Sequence, residues 1–308
     1  MRAVVLRRYG GPEELVAEEV PDPVAGPGQV LVRVAVAGVT FVETQVRADR
    51  GPRRAELPVV LGNGVAGTVL AVGEGVDQAL TGTLVVTTLG GQGGYAELAV
   101  ARAADVIPVP EGLSPEHAVA LLADGRTALG LVSAAAPAPR EWVLVEAAGG
   151  GVGSLLVQLA SAAGARVVAA AGSDAKRELA ASLGAELTVD YTRPGWTAEV
   201  RAATGGLDLV FDGVGGDVGA AAQGLLKDGG RISVYGMAGG PMTTPDPRVK
   251  AVAWPDTDLR ELSRAALAEA AAGRLRPVIG AVVPLESAAS AHAAIEARTV
   301  VGKTLLVP

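Results

Sequence analysis

The chain has 308 residues, of which 49% are hydrophobic and 19% charged, and its formal net charge is −7. This composition is typical of a globular protein, the length suits two domains of ordinary size, and the negative charge disfavours a nucleic-acid partner. The absence of cysteine excludes disulfides and thiolate chemistry. With only two histidines, His117 and His292, both predicted to be surface or packing residues, no metal site is expected.

Neither a membrane span nor a secretory leader is predicted. No uninterrupted apolar run reaches the ~18–20 residues that a spanning helix needs. The N-terminal sequence MRAVVLRRYGGPEEL carries arginines and glutamates where a signal peptide needs a continuous apolar region. We therefore expect a cytoplasmic protein without a membrane partner.

Residues 1–115 are predicted to be rich in β-strands. Alternation of apolar with polar or small residues indicates a strand in VLVRVAVAGV (30–39), and further strand-like runs broken by Gly turns are VAGTVLAVGEGV (65–76) and GTLVVTTLGGQGGYAELAV (82–100). Within the last run, Tyr95 is expected to be structural, with its ring on the core and its hydroxyl at the rim.

After Ser114-Pro115, which is typical of a helix start, the pattern changes to alternating strands and helices. Such alternation predicts a doubly wound α/β fold with a parallel sheet and right-handed crossovers. The predicted strands are WVLVEA, ARVVAAAG, ELTVD, LDLVFDGVG and RISVYGM, and the predicted helices between them are 151–163, 174–183, 195–203 and 217–227. After the last of these strands come a possible edge strand, VKAVAW, and a long helix, 257–273.

The segment VEAAGGGVGSLLVQLA (145–160) places a cluster of glycines between a strand and a helix. At the spacing of the G-x-G-x-x-G fingerprint the three positions are Ala148, Gly150 and Gly153. Gly150 would let the backbone approach a pyrophosphate, Gly153 would let helix and strand pack closely, and the helix N-terminus would supply N–H groups. The loop predicts a dinucleotide-binding site; the alternative is a tight strand–helix turn without a ligand.

The residues after the second of these strands favour NADP(H) over NAD(H). A carboxylate at the strand end would bind the ribose 2′-hydroxyl of NAD, but Ala171 stands there. Ser173, Lys176 and Arg177 follow, and a hydroxyl with cations can hold a 2′-phosphate. Asp174 weakens this pattern, so the alternative is a solvated helix start with exposed basic residues.

Together these motifs resemble the zinc-independent quinone oxidoreductases, the zeta-crystallin-like branch of the medium-chain dehydrogenase/reductase superfamily. The resemblance extends over essentially the whole chain. It is carried by LGNGVAGTVLAVGEGV, GGYAELAV, LLADGRTALGLV, AAGGGVGSLLVQLA, AAGSDAKRELAASLGA, FDGVGG and GRLRPVIGAVVPLESAASAHAAIEARTVVGKTLLVP. It implies a GroES-like catalytic domain formed by residues 1–118 and 266–308, a Rossmann domain formed by residues 119–265, NADPH in the cleft between them, and a homodimer.

The resemblance also implies which residues contact the cofactor. The pyrophosphate turn would consist of Gly150, Gly151, Val152 and Gly153, and the 2′-phosphate pocket of Ser173, Lys176 and Tyr191. The nicotinamide and its ribose would contact Thr127, Tyr235, Gly236 and Met237. Lys303, in the C-terminal tail, would close over the cofactor. Tyr191 is also compatible with a packing role.

The active-site segment departs from the family pattern. Where the family has Asn-Phe-x-Asp-x-Tyr, this chain has Thr40-Phe41-Val42-Glu43-Thr44-Gln45, and Gly64 stands where relatives often carry an acid. The connection after Gly236 is also shorter than usual. These departures leave cofactor binding untouched and bear on the substrate.

A metal-free site of this kind would hold the nicotinamide C4 against an electrophilic carbon, and positioning can supply ~7–11 kcal/mol of the barrier. Thr40 and Gln45 are the candidate donors to the developing oxyanion, and Glu43 is a candidate for orienting them; the alternative is a polar pocket lining. We expect an NADPH-dependent reductase of quinones or activated α,β-unsaturated carbonyls. The alternatives are a 2-enoyl thioester or polyketide-tailoring reductase, and an NADPH-binding protein with little catalysis.

Overall fold

The computed structural model describes residues 1–52 and 54–308. The chain forms two compact units: the first comprises Met1–Ala123 and Ser263–Pro308, and the second comprises Asp124–Leu262. The sequence predicted that the chain passes from the first unit to the second after residue 118 and returns to the first unit after residue 265. Both observed crossings fall within long helices, so the chain passes from one unit to the next without a linker.

The first unit begins with strands, as the alternating apolar pattern predicts, and with one short helix that the pattern did not predict. Most strand residues that point inward are Val, Leu or Ala, and they form the core of this unit. The elements are β1 (Arg2–Leu6), β2 (Leu15–Glu19), β3 (Gln29–Val39), α1 (Phe41–Arg47), β4 (Val59–Val60), β5 (Gly64–Val72), β6 (Leu84–Thr88), β7 (Leu98–Arg102), β8 (Ile107–Pro108) and α2 (Pro115–Ala135).

The second unit is a doubly wound α/β sheet, which confirms the predicted fold. Its strand order is β11-β10-β9-β12-β13-β14, and every neighbouring pair is parallel. The elements are β9 (Trp142–Glu146), α3 (Gly151–Ala162), β10 (Arg166–Ala170), α4 (Asp174–Ser182), β11 (Leu187–Val189), α5 (Trp196–Thr204), β12 (Leu207–Asp212), α6 (Gly216–Gln223), β13 (Leu226–Val234), β14 (Lys250–Ala251) and α7 (Leu259–Ala271).

Two predicted elements of this unit are shorter than the sequence suggested. The helix predicted over 217–227 ends at Gln223, because Leu226 already pairs with Leu207 in the sheet. The edge strand predicted in VKAVAW is reduced to Lys250–Ala251, which lies in the Pro-rich connection where prolines supply no N–H donor to a ladder.

The C-terminal part of the chain returns to the first unit through β15 (Ile279–Pro284), α8 (Ala288–Glu296) and β16 (Lys303–Val307). Its larger sheet has the order β15-β16-β3-β5-β6-β8, with β7 also paired to β3, and a smaller sheet has the order β2-β1-β4. β16 pairs antiparallel with β3, so the tail completes the sheet that the N-terminal strands begin.

α2 corrects one expectation. By length and composition this helix is apolar enough to cross a membrane, with a mean hydropathy of 1.3 over its most apolar window, and 56% of that window is buried inside the fold. The core helix of a water-soluble protein passes the same test. The sequence prediction counted only uninterrupted apolar runs, and charged residues such as Glu116 and Asp124 interrupt α2.

Candidate functional site

The glycine cluster forms a tight turn between β9 and α3. Ala147 adopts a φ of +48°, and the N–H of Gly150 donates to the carbonyl of Ala147 at 2.8 Å. The N–H of Ala148 donates to the carbonyl of Ala170 in the neighbouring strand at 3.2 Å. Ala148, which stands at the first fingerprint position, is fully buried, so the turn closes without a glycine there.

Gly150 and Gly153 are glycines for different reasons. A Cβ at Gly153 would overlap the carbonyl of Ala147, which is backbone and cannot rotate away, so this glycine is required for packing. Gly150 has an extended φ of −89° and ψ of 178°, and a Cβ there would meet only the Ala147 oxygen, at 3.2 Å. The backbone conformation at position 150 therefore suits other residues, whereas a Cβ there would make one tight contact, with that oxygen.

A side chain at position 150 would occupy the space in front of the first turn of α3. The N–H groups of that turn, Gly151 to Gly153, have no intrahelical acceptors, as at every helix start. The combination of donors, positive helix potential and bare backbone fits a pyrophosphate group. The loop geometry thus fits a dinucleotide better than a turn built only for packing.

The loop also lies where open α/β sheets bind ligands. The strand order reverses between β9 and β12, and such sheets bind ligands outside the carboxyl ends of their strands at that switch point. The glycine loop follows β9, and a second turn, residues 213–215, follows β12.

Two buried acids end these two strands. Glu146 closes β9 and Asp212 closes β12, next to the paired residues Val145 and Phe211, and both side chains are fully buried. Burial, together with the hydrogen bond and charge of Asp212, raises the pKa of Glu146 to about 10. Glu146 is therefore protonated at neutral pH.

Both acids accept hydrogen bonds from the turn after β12. The N–H of Val214 donates to Glu146 Oε2 at 3.0 Å and to Asp212 Oδ1 at 3.1 Å, and the N–H of Gly215 donates to Asp212 Oδ1 at 2.7 Å. This pair of acids was not predicted from the sequence. Its signal was an acid at the end of each of two buried strands, WVLVE and LDLVFD.

The segment predicted to meet nicotinamide is attached to the same turn. The N–H groups of Tyr235 and Gly236 donate to the backbone carbonyl of Asp212 at 2.9 and 3.2 Å. The Tyr235 hydroxyl lies 3.4 Å from the carbonyl oxygen of Glu146, and burial followed by the charge of Glu146 raises the pKa of Tyr235. The structure therefore brings Tyr235 and Gly236 to the switch point, while the neighbouring Met237 is exposed.

The residues assigned to the 2′-phosphate surround the turn between β10 and α4. Ser173 is the N-cap residue of α4. The Lys176 side chain lies so close to Gly149 that a Cβ on that glycine would overlap it. The Tyr191 ring lies against Gly172, where a Cβ would be 3.5 Å from Cε2. Ser173, Lys176 and Tyr191 thus lie at one end of the unit, beside the glycine loop.

Arg177 has a structural role. Its guanidinium pairs with Asp174, with Asp190 at 3.0 Å, and with the carbonyl of Ala171 at 3.2 Å. The sequence counted Arg177 among the cations available to a phosphate, but the fold uses it to join α4 to the ends of two strands.

In the first unit, Glu43 anchors the start of α1. Its carboxylate accepts the N–H of Thr40 at 2.6 Å, the N–H of Asn63 at 2.7 Å and the hydroxyl of Tyr95 at 2.9 Å. The side chain is 3% exposed, and burial raises its pKa. Glu43 therefore holds the segment that carries the candidate donors.

The expectation that the Tyr95 hydroxyl lies at the rim is wrong. Tyr95 is fully buried, and its hydroxyl lies between Glu43 and Nε2 of His292, which is 3.0 Å away. Burial, with the charge of Arg47 second, lowers the pKa of His292 to about 3, so this ring is neutral. The Tyr95 hydroxyl lies in the interior because it bonds to Glu43 and His292, two buried residues that are distant from it in sequence.

Of the remaining candidates, Thr40, Gln45 and Lys303 lie near Glu43 in the first unit, and Thr127 belongs to the second. Thr40 and Gln45 are half-buried at the start and middle of α1, and the Gln45 amide donates to the Thr44 hydroxyl at 3.0 Å. Thr127 is half-buried on α2. Lys303 is buried in the first unit, with its Cε packed against Gly38.

Removing the Tyr95 hydroxyl tests the buried network. Tyr95→Phe should lower the free energy of unfolding by about 1–3 kcal/mol, because Glu43 loses a donor that water cannot replace in the interior. Denaturant unfolding followed by circular dichroism measures this change. An unchanged midpoint would mean that the hydroxyl contributes nothing to the stability of the unit.

Within the part of the chain that the structure describes, no group of three or more His, Asp or Glu side chains converges as a metal site would require.

Two protein families match separate parts of the chain. The alcohol dehydrogenase GroES-like domain matches residues 26–111, and the zinc-binding dehydrogenase family matches residues 151–263. A GroES-like unit combined with a nucleotide-binding α/β unit defines the class of medium-chain dehydrogenases and reductases.

Individual relatives match almost end to end. The quinone oxidoreductase of Sus scrofa is 32% identical over 321 residues, covering 100% of this chain and 98% of the relative, and the 2-haloacrylate reductase of a Burkholderia species is 31% identical, covering 99% and 98%. A mycobacterial protein whose structure was solved in complex with NADPH has 33% identity and a TM-score of 0.89 over 100% of both chains. The chain belongs to the zeta-crystallin-like quinone oxidoreductases of the medium-chain dehydrogenase/reductase superfamily, which confirms the resemblance.

Proposed function

We propose that this protein is an NADPH-dependent reductase that transfers a hydride to quinones or activated α,β-unsaturated carbonyl compounds without a metal ion. The observation that carries the proposal is the glycine loop at the switch point, where Gly150 leaves bare backbone in front of the first turn of α3. The pig relative is named a quinone oxidoreductase, and the mycobacterial neighbour was solved with NADPH, which supports the same activity.

Each part of the cofactor has a proposed site among residues of this chain. Backbone N–H groups of Gly151, Val152 and Gly153 would hold the pyrophosphate, with the bare backbone of Gly150 lying against it, since the N–H of Gly150 is bonded to Ala147. Ser173, Lys176 and Tyr191 would hold the 2′-phosphate. The nicotinamide half would contact Tyr235, Gly236 and Met237, with Thr127 and Lys303 as further contacts. Bound NADPH supplies the hydride. The carboxylate that would favour NAD is absent after β10, where Ala171 stands.

Lysine 176 provides the test of cofactor choice. Lys176→Met keeps the aliphatic stem that packs on Gly149 but removes the charge, so it should weaken NADPH roughly 10- to 100-fold and NADH by less than about twofold. Fluorescence titration with both cofactors measures the ratio. Lys227→Met, which breaks an exposed pair with Asp208 in the same unit, is the matched control. Equal losses for both cofactors would contradict the 2′-phosphate assignment.

The proposed catalytic donors are Thr40 and Gln45, held in place by Glu43. Gln45→Leu should lower kcat roughly 100-fold and leave the NADPH affinity unchanged, because an oxyanion donor acts in the transition state. Steady-state kinetics separate the two effects. Gln78→Leu, on an exposed turn of the same unit, should have no effect on kcat. A Gln45→Leu enzyme with normal kcat would leave this side chain as pocket lining.

NADPH oxidation in the presence of different acceptors tests the activity itself. Turnover with 9,10-phenanthrenequinone or 1,4-benzoquinone that survives a chelator is the expected result. Tight NADPH binding without turnover of any acceptor would favour a cofactor-binding protein with little catalysis. Activity lost on chelation would reveal a metal requirement.

A second candidate function is reduction of a carbon–carbon double bond in an unsaturated acid or thioester. The Burkholderia relative, named a 2-haloacrylate reductase, supports it, as does the replacement of the family's Asn and Tyr by Thr40 and Gln45. Faster turnover of 2-chloroacrylate or a crotonyl thioester than of quinones would favour this function.

We further propose that the enzyme is a cytoplasmic homodimer. The second unit ends in a short edge strand, β14, and exposes large apolar side chains nearby in sequence: Met237, Met242, Trp254 and Leu259. Sedimentation of the purified protein gives the oligomeric state, and a monomer at all concentrations would contradict the dimer.

A further inference from the structure

We propose that Glu146 is a positioning residue for the nicotinamide half of the cofactor, acting with Asp212 through the turn that follows β12. The inference rests on the proposed NADPH-dependent function and adds a residue that the family resemblance does not assign. It concerns only contacts within the second unit.

Glu146 and Asp212 both bond to the turn that follows β12. The N–H of Val214 lies between the two carboxyl groups, at 3.0 Å from Glu146 and 3.1 Å from Asp212. Because the acids end adjacent strands, these bonds tie the turn to both strands at once. Removing Glu146 would break the bond from this turn to β9 and leave the turn attached to β12 and to the segment after β13.

A proton on Glu146 stabilises the pair that it forms with Asp212. Two buried carboxylates repel each other, whereas a proton on Glu146 lets the pair form a hydrogen bond. Glu146 Oε1 and Asp212 Oδ2 are buried and receive no N–H or O–H from the other residues that the structure describes. An arrangement this costly, placed at a ligand crevice, indicates a role beyond packing.

The turn after β12 is also connected to the nicotinamide segment. The N–H groups of Tyr235 and Gly236 bond to the Asp212 carbonyl, and the N–H of Gly239 donates to the carbonyl of Val214 at 2.7 Å. A Cβ on Gly236 would overlap the carbonyl of Gly213, so the two stretches are in direct contact. A shift of the turn is therefore passed to Tyr235 and Gly236.

The adenosine half of the cofactor is proposed to be held by different residues, on another strand. Ser173 and Lys176 follow β10, on the other side of β9 from Asp212. A defect at Glu146 should consequently affect the nicotinamide half more than the adenosine half. This difference distinguishes positioning from a general loss of structure.

The charged and titratable groups around Glu146 are acidic. Asp212 faces it from β12, Tyr235 faces it from the segment after β13, and Asp124 of α2 lies near both Tyr235 and Gly151. Losing the proton of Glu146 would add a negative charge behind a loop proposed to bind pyrophosphate. NADPH affinity should therefore fall as the pH rises, and a neutral isostere should remove that fall.

The experiment compares Glu146→Leu with Glu146→Gln in the full-length protein, using NADPH and 2′,5′-ADP as calorimetric ligands. Glu146→Leu should weaken NADPH roughly tenfold or more and 2′,5′-ADP by less than about twofold. Glu146→Gln can still donate to Asp212 and accept from Val214, so it should bind both ligands like the wild type. Above about pH 9, where Glu146 begins to lose its proton, the NADPH affinity of the wild type should fall more steeply than that of Glu146→Gln.

Several outcomes overturn the inference. They are equal losses of both ligands in Glu146→Leu, no loss of either, or failure of Glu146→Gln to restore NADPH binding. If Glu146→Leu does not fold, the pH profiles of wild type and Glu146→Gln decide, and parallel profiles overturn it. A wild-type protein that binds neither ligand overturns the proposed function itself, which is a different result from any of these.

Discussion

Gly150→Val should reduce NADPH affinity by roughly 100-fold or more while the protein remains folded. The extended backbone at position 150 suits valine, and the one tight contact that a Cβ would make there, with the Ala147 oxygen at 3.2 Å, needs a shift of only a few tenths of an ångström. The branched side chain would instead cover the N–H groups at the start of α3, where we place the pyrophosphate. Fluorescence titration with NADPH, with circular dichroism for the fold, measures both halves of this expectation.

Gly153→Val is the matched control, three residues further on in the first turn of α3. Its Cβ would overlap the backbone carbonyl of Ala147, so it should destabilise the unit strongly whether or not a cofactor binds there. Comparing the two variants distinguishes a glycine required for cofactor binding, Gly150, from a glycine required for folding, Gly153. Normal NADPH affinity in Gly150→Val would refute the loop assignment.

Glu146→Gln should make the protein more stable than the wild type at alkaline pH, with an advantage that grows as the pH rises. The pKa of Glu146 is about 10 in the folded protein and near 4.5 in the unfolded chain. Between these values the folded state holds one more proton than the unfolded state, so its stability falls with rising pH. The slope is about 1.4 kcal/mol per pH unit, which amounts to roughly 4 kcal/mol between pH 5 and 8.

The comparison with the wild type isolates this one group. The raised pKa of Glu43 and the lowered pKa of His292 also make stability depend on pH, but both residues are present in the two proteins, and their contributions cancel. Urea unfolding of both proteins across this pH range gives the difference directly. A constant difference at all pH values would mean that Glu146 titrates normally and is not protonated in the folded state.

Local patterns were sufficient for the architecture and for the tight glycine turn between β9 and α3. The change from alternating strands to strand–helix units near residue 114 predicted both units, because hydrophobic period depends on neighbouring residues only. The glycines of residues 149–153 predicted the turn for the same reason, since its geometry is set within a few residues. Weaker local signals gave errors: Gly216–Gln223 was predicted too long, and VKAVAW was predicted as a longer strand than the sheet pairs.

The buried polar groups depended on the tertiary structure. Glu43 lies 52 positions from Tyr95, Tyr95 lies 197 positions from His292, and Glu146 lies 68 positions from Val214. Such partners meet only because particular strands become neighbours and exclude water together.

By itself, then, the sequence determined the α/β pattern of the second unit and the glycine turn, which follow from residues near one another in the chain, and the family, which follows from motifs along its whole length. Only the tertiary structure showed that the Tyr95 hydroxyl is internal, that Arg177 is used by the fold, and that Glu146 shares the turn after β12 with Asp212. The physical reason is that the ionisation and hydrogen bonding of a side chain depend on its burial and its partners, and both are properties of the assembled fold.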